Sequence, residues 1–158
     1  MSTDAPRTLE EQGVFVRESL KRADALRKNK EYDQAISLLV EALRYGLEKA
    51  NIYYQLGNVY VDGGDLDRAE YAYNRALEVD PNLVNAMHNL AIVYRRQKRM
   101  SLYVKTFKKS QRLSIKSSRK TRPGTDQKTR IRGTSRSVSV WLFGGAAVIA
   151  LFVWLLTR

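Results

Sequence analysis

One imidazole, His88, and no thiol stand among the 158 residues. A lone histidine cannot build a multi-histidine metal centre. Without cysteine there is no thiolate site, no disulfide framework and no thiol nucleophile. No acid lies three or four residues from His88 to orient it as a helical base. Asp62, Asp65 and Asp67 form a small acidic cluster that superficially resembles a calcium loop, but the bidentate Glu such a loop requires downstream is missing. These carboxylates fit a solvated turn that caps the following helix. Gly63-Gly64 marks a turn between two helical runs, and Gly144-Gly145 lies inside an apolar run, so neither cradles a phosphate. The expectation is a protein without catalytic residues, metal or cofactor, one that works by binding.

Charge is the second chemical resource, and it is partitioned. Residues 1–94 hold 11 basic and 15 acidic side chains; residues 95–136 hold 16 basic ones and a single acid, Asp126. Residues 137–157 carry no charge. A nucleic-acid-binding domain would spread positive charge across its folded surface. This layout instead implies a near-neutral folded part, a basic stretch and a membrane segment.

The folded part is built on a period of 34 residues, the spacing at which repeats should be sought first. A small residue recurs at Ala23, Gly57 and Ala91, and another at Ala42, Ala76 and Ser110. Large apolar slots recur at Leu39, Tyr73 and Phe107. Apolar residues step by three and four, as on helices with one buried face. Thr8 and Glu11 have the form of a capping box, and Asp80-Pro81 stops a helix because the residue before proline avoids the α region. Six helices are expected, at 9–29, 32–46, 50–62, 66–79, 84–97 and 100–115.

Residues 50–83 carry Tyr53, Leu56, Gly57, Tyr60, Gly64, Ala69, Tyr73, Ala76 and Pro81. This pattern resembles the tetratricopeptide repeat (TPR). The flanking units, 16–49 and 84–117, depart from it: Tyr103 replaces a small residue, and Leu47 and Ile115 replace the proline. The resemblance implies an all-α solenoid of three helical hairpins over 9–115; residues 1–8 before it are expected to be disordered. It also implies a concave groove, lined by the first helix of each hairpin, that receives a segment of a protein partner. On that reading the groove residues are Asn51, Tyr54, Asn58 and Val61 in the second unit, and Asn85, His88, Ile92 and Arg95 in the third. Asparagine offers both donor and acceptor to a peptide backbone. The clamp by which some TPR domains hold acidic chaperone C-termini needs Lys and Asn, then Lys and Arg, at places corresponding to Leu20, Asp24, Asn85 and Asn89. Asp24 would repel a carboxylate, so that ligand is not expected.

Residues 116–137 hold eight Lys/Arg, eight Ser/Thr and one large apolar residue, Ile131, and are expected to be a disordered linker. Residues 138–156 are an apolar run about 28 Å long as a helix, close to a bilayer core of about 30 Å. Trp141 and Trp154 lie near its ends, as interfacial anchors do. Small residues four apart are few in it, so only weak self-association is expected. The basic residues before the run place the repeats on the cytoplasmic side and the C-terminus outside. Lys116, Arg119, Lys120, Arg122, Lys128, Arg130, Arg132 and Arg136 are then expected to meet anionic lipid, each worth about 1 kcal/mol near the surface. This plan resembles a tail-anchored protein; a bacterial inner membrane fits as well and is favoured by the Arg-rich flank and near-consensus repeats. The function expected is a membrane-held scaffold for a protein partner, with no small-molecule substrate. The alternative is nucleic-acid or polyanion binding through 95–136, weakened because no ring outside the core is free to stack on bases.

Overall fold

The structure, a computed structural model, describes residues 8–121. Six helices follow one another: α1 (Leu9–Lys28), α2 (Tyr32–Leu43), α3 (Lys49–Asp62), α4 (Leu66–Val79), α5 (Val84–Arg96) and α6 (Met100–Thr121). Consecutive helices pair as antiparallel hairpins, α1 with α2, α3 with α4, α5 with α6, and the hairpins stack in chain order. The six expected helices are present with ends moved by at most a few residues, except in α6.

Side-chain caps start α1 and α4. The capping box of α1 is formed: Glu11 N–H donates to Thr8 Oγ1 at 3.1 Å, and Thr8 N–H to Glu11 Oε2 at 3.2 Å. Asp65 caps α4 by accepting from Arg68 N–H at 2.9 Å, the capping role expected of this acidic turn. The turn inside every hairpin is the same. Lys30, Gly64 and Lys98, one period apart, all take a left-handed backbone, with φ of 66°, 84° and 62°. The next residue in each, Glu31, Asp65 or Arg99, donates its N–H to the carbonyl of Leu26, Tyr60 or Tyr94 at 2.9 Å. This closes each first helix with a Schellman-type bond. Only the middle turn has the glycine that such a backbone favours.

Between hairpins the solutions differ. After α4, Asp80 is extended at φ −128°, ψ 95°, as a residue before proline prefers. After α2, where that proline is absent, Gly46 at φ 75° and Glu48 at φ 48° reverse the chain instead.

The recurring small slots are the places where helices press together: Ala23, Ala35, Ala42, Ala69, Ala76 and Ala91 are all 0% exposed. The tightest point is Gly57 on α3, where a Cβ would come within 2.6 Å of Tyr73 Cδ1 on α4. Gly57 thus makes room for the Tyr73 ring. Tyr103 is accommodated in the third hairpin, where it is half-buried, packs on the core formed by Leu90 and Tyr94, and stacks near Phe107 at 5.5 Å between centroids. One core joins α1, α2 and α3 with Ala72 of α4, and a second joins α4, α5 and α6, with Tyr53 and Tyr60 packed against both.

The boundary expected at residue 116 is displaced: α6 continues to Thr121, so the first six residues assigned to the linker are helical. No proline or glycine interrupts the run before Pro123, and Ser117 and Ser118 return their hydroxyls to the Ser114 carbonyl at 2.8 and 3.0 Å. Among the described residues no helix is long and apolar enough to cross a membrane. Residues 1–7, the rest of the linker and the run 138–156 lie outside the described residues.

Two substitutions test this account by opposite effects. Lys98→Gly relieves a left-handed lysine and should stabilise the domain by about 1 kcal/mol, a rise of several degrees in Tm. Gly57→Ala drives a methyl group into the Tyr73 ring and should cost about 1–3 kcal/mol. Thermal melts monitored by circular dichroism read both.

Candidate partner-binding groove

The first helices of the hairpins touch one another, α1 against α3 and α3 against α5, whereas α2, α4 and α6 make no contact among themselves. Closer neighbours line the inside of a curved stack, so α1, α3 and α5 form the concave face.

A recess of about 330 Å³ opens on this face between α3 and α5. Tyr54, Asn58, Val61 and Asp62 of α3 form one wall, and Asn89, Ile92 and Arg96 of α5 the other. Arg27 of α1 and Tyr73 of α4 complete the lining.

Asn58 is the centre of the recess. Its Oδ1 accepts from the Tyr73 hydroxyl at 2.7 Å and from Asn89 Nδ2 at 3.0 Å. These two bonds tie α3 to its own hairpin partner and to the next hairpin. Tyr73 is 1% exposed, and burial pushes its phenol well above the ordinary range. A buried hydroxyl needs an acceptor, and Asn58 is that acceptor. Tyr54 covers the recess beside it, its ring 6.2 Å from that of Tyr73.

The C-terminal end of the recess is charged. Arg27 of α1 reaches across to Asp62 of α3 and also binds Asp24 at 2.8 Å. Lys28 joins the same Asp24 at 2.6 Å. Hydrogen bonds from Lys28 and Arg27 hold the Asp24 carboxyl below the usual carboxylate range. On the other side, Arg96 donates to the Val61 carbonyl at 3.4 Å and remains exposed at the rim.

Of the residues expected to line one groove, the structure brings together Tyr54, Asn58, Val61 and Ile92. It does not bring the others. Asn51 lies at the start of α3, where its Nδ2 binds Glu48 Oε2 at 3.0 Å. Asn85 is exposed in the first turn of α5, outside the recess. His88 and Arg95 are turned toward α6: the His88 ring lies 5.6 Å from Phe107, and the Arg95 guanidinium sits 5.7 Å over Tyr103. The reason is helical phase. Residues 88 and 95 are seven apart and share one stripe of α5, while 89, 92 and 96 share the neighbouring stripe that faces α3. His88–Phe107 is the pair Tyr54–Tyr73 repeated 34 residues later. Asn89, Arg96 and Arg27 line the recess as well. The 89–92–96 spacing on α5 is legible in the sequence; the place of Arg27 depends on the fold. Asn58 is also not the free amide expected, since it carries a core hydroxyl. Of the lipid-contact set, Lys116 lies exposed on α6, Arg119 and Lys120 fall in its last turn, and Arg122, Lys128, Arg130, Arg132 and Arg136 lie outside the described residues with Trp141 and Trp154.

Curved stacks of helical hairpins with a polar recess on the inner face define a helical-repeat scaffold. The sequence profile of the tetratricopeptide repeat matches residues 20–84 and again 54–112, more than half of the chain. The chain belongs to the tetratricopeptide repeat family. Its curated relatives include anaphase-promoting complex subunit 3 of Schizosaccharomyces pombe, 29% identical over 90 residues that make up 57% of this chain and 14% of that protein. Photosystem I assembly protein Ycf3 of Acaryochloris marina is 32% identical over 65 residues, 39% of each chain. This chain therefore spans less than half the length of these curated relatives. Among solved structures, a crystal structure of MamA superposes with a TM-score of 0.62 at 26% identity, covering 66% of this chain and 61% of that one. The Sgt2 TPR domain of Aspergillus fumigatus superposes at 0.53 and 19% identity, covering 86% of this chain and 99% of its own, a likeness of fold.

Asn58→Ala should therefore destabilise the domain, by about 1–3 kcal/mol, because it strands the buried Tyr73 hydroxyl. Adding Tyr73→Phe removes the stranded group, so the double variant should lose less than the two single losses added together. Denaturant unfolding of the three variants measures the difference.

Proposed function

We propose that this chain is a membrane-held TPR scaffold whose α3–α5 recess binds a segment of a protein partner. The observation that carries the reading is the recess itself. It combines fixed amides at Asn58 and Asn89 with apolar contact from Val61 and Ile92, and with charged groups at one end, Arg96 and the Arg27–Asp62 pair. Amides held in place by hydrogen bonds present donors and acceptors without an ordering cost, and the apolar side chains supply burial. Asn58 acts as a positioning group there, and Arg96, exposed at the rim, suits an acidic or carbonyl group of the partner. A chaperone-type acidic C-terminus is not the proposed ligand, because Asp24 stands at the clamp position.

Anchoring belongs to the same proposal. Residues 138–156 would cross the bilayer once, with the repeats on the cytoplasmic side. The basic residues from Lys116 to Arg136 would lie against anionic lipid, and their attraction would weaken as salt rises. The support is the apolar length, the tryptophans near its ends and the one-sided Lys/Arg bias.

Two experiments separate the halves. Full-length protein should resist extraction by alkaline carbonate, and deletion of 138–158 should release it; intact protein in the carbonate supernatant would refute the span. Affinity capture with the full-length protein and with an Ile92→Ser/Arg96→Glu variant should recover a partner from the first that the second loses, with little change in melting. The same partners retained by both would remove the recess as the binding surface.

A further inference from the structure

On the outer face the α4 and α6 backbones stand apart, and a trough of about 910 Å³ opens between them over α5. Its floor is apolar, with Met87 and Leu90 of α5 at the bottom, flanked by Leu77 and Leu102. One wall is basic: Lys105, Lys108, Lys109 and Arg112 line it from α6. All four are exposed, and among the described residues none is in an ion pair. The only acid in the lining, Glu78 on the opposite wall, is already paired with Arg75.

The preceding repeat acts as an internal reference. Thirty-four residues earlier, the places of Lys105, Lys108, Lys109 and Arg112 are held by Tyr71, Asn74, Arg75 and Glu78. There the basic group is spent: Arg75 lies 5.7 Å over the Tyr53 ring and pairs with Glu78. Tyr53 itself is replaced by the smaller-profile Met87 in the third repeat. The uncompensated wall is thus a property of this one trough, not of the repeat.

We propose that the α4–α6 trough is a second docking site, separate from the concave recess, for an acidic amphipathic helix of a protein partner. Lys105 to Arg112 spans two helical turns, about 10 Å. An occupant helix with acids at i, i+3 or i+4, and i+7 would meet the four basic groups in register, while its apolar stripe covers the floor. The shape favours such a helix over other polyanions. A nucleic-acid backbone has no use for an apolar floor. A flat bilayer cannot follow a trough walled on the α4 side by Tyr71, which is 63% exposed.

The test uses full-length protein and a designed, fluorescently labelled helical peptide with Glu at i, i+4, i+7 and i+11 beside a leucine stripe. A peptide of the same composition in shuffled order, and phosphatidylglycerol vesicles, serve as competitors. The designed peptide should bind at least tenfold more tightly than the shuffled one. Lys105→Glu/Lys109→Glu, and separately Lys108→Glu/Arg112→Glu, should weaken binding tenfold or more. A peptide with Lys in place of Glu should recover binding to the variant carrying all four substitutions, and Ile92→Ser/Arg96→Glu should leave binding of the designed peptide unchanged. Equal binding of the shuffled peptide, insensitivity to both charge reversals, loss through the recess variant, or displacement of the peptide by the vesicles would each overturn the proposal.

Discussion

No hairpin in this chain can bury its own apolar surface, so each depends on the next for a core. That is the constraint from which the other features follow. It requires helix axes to approach closely at fixed places, and the 34-residue recurrence of small side chains supplies those places. Gly57 is the extreme case, because the Tyr73 ring occupies the space its side chain would fill. Tyr73 then delivers its hydroxyl to Asn58, and Asn58 holds Asn89 of the next hairpin. A packing requirement within one hairpin is thereby converted into a polar link between two.

Stacking also makes the two faces unlike. First helices crowd together on the inner face, and the recess there is small, partly filled by hydrogen-bonded amides and closed at one end by the Arg27–Asp62 bridge. Second helices are held apart on the outer face, and the trough between α4 and α6 is wide, apolar at its base and charged along one wall. The inner surface is pre-organised for backbone and polar recognition. The outer surface offers burial together with a row of unneutralised charge.

The basic character of the chain acquires a structural meaning in α6. The helix carries no acid and runs on past the last repeat position to Thr121. Its first half belongs to the third hairpin and its second half leads toward the basic stretch that follows. Positive charge therefore begins within the fold, on the wall of the trough, and not only in the segment beyond it.

The helices, their pairing and the small slots are legible in the chain, because they depend on local rules: periodicity, caps, turn chemistry and side-chain size at a fixed spacing. Thr8 with Glu11, Asp65 before α4 and Asp80-Pro81 after it all acted as their residue types require. The left-handed turns at Lys30 and Lys98 show tertiary context overriding preference, since hairpin stacking holds lysine where glycine is favoured. Which polar groups meet depends on packing. Asn58 reads as a free amide in the sequence, yet Tyr73, fifteen residues away, needs its oxygen. His88 and Arg95 read as groove residues, yet the rotation of α5 turns their stripe toward Phe107 and Tyr103. Arg27 carried no signal, because its partner Asp62 lies one repeat away and only the stacking of α1 on α3 brings them together. Local physics fixes what a helix is, but a binding face depends on helical phase and on neighbours distant in the chain, and these exist only once the hairpins have packed.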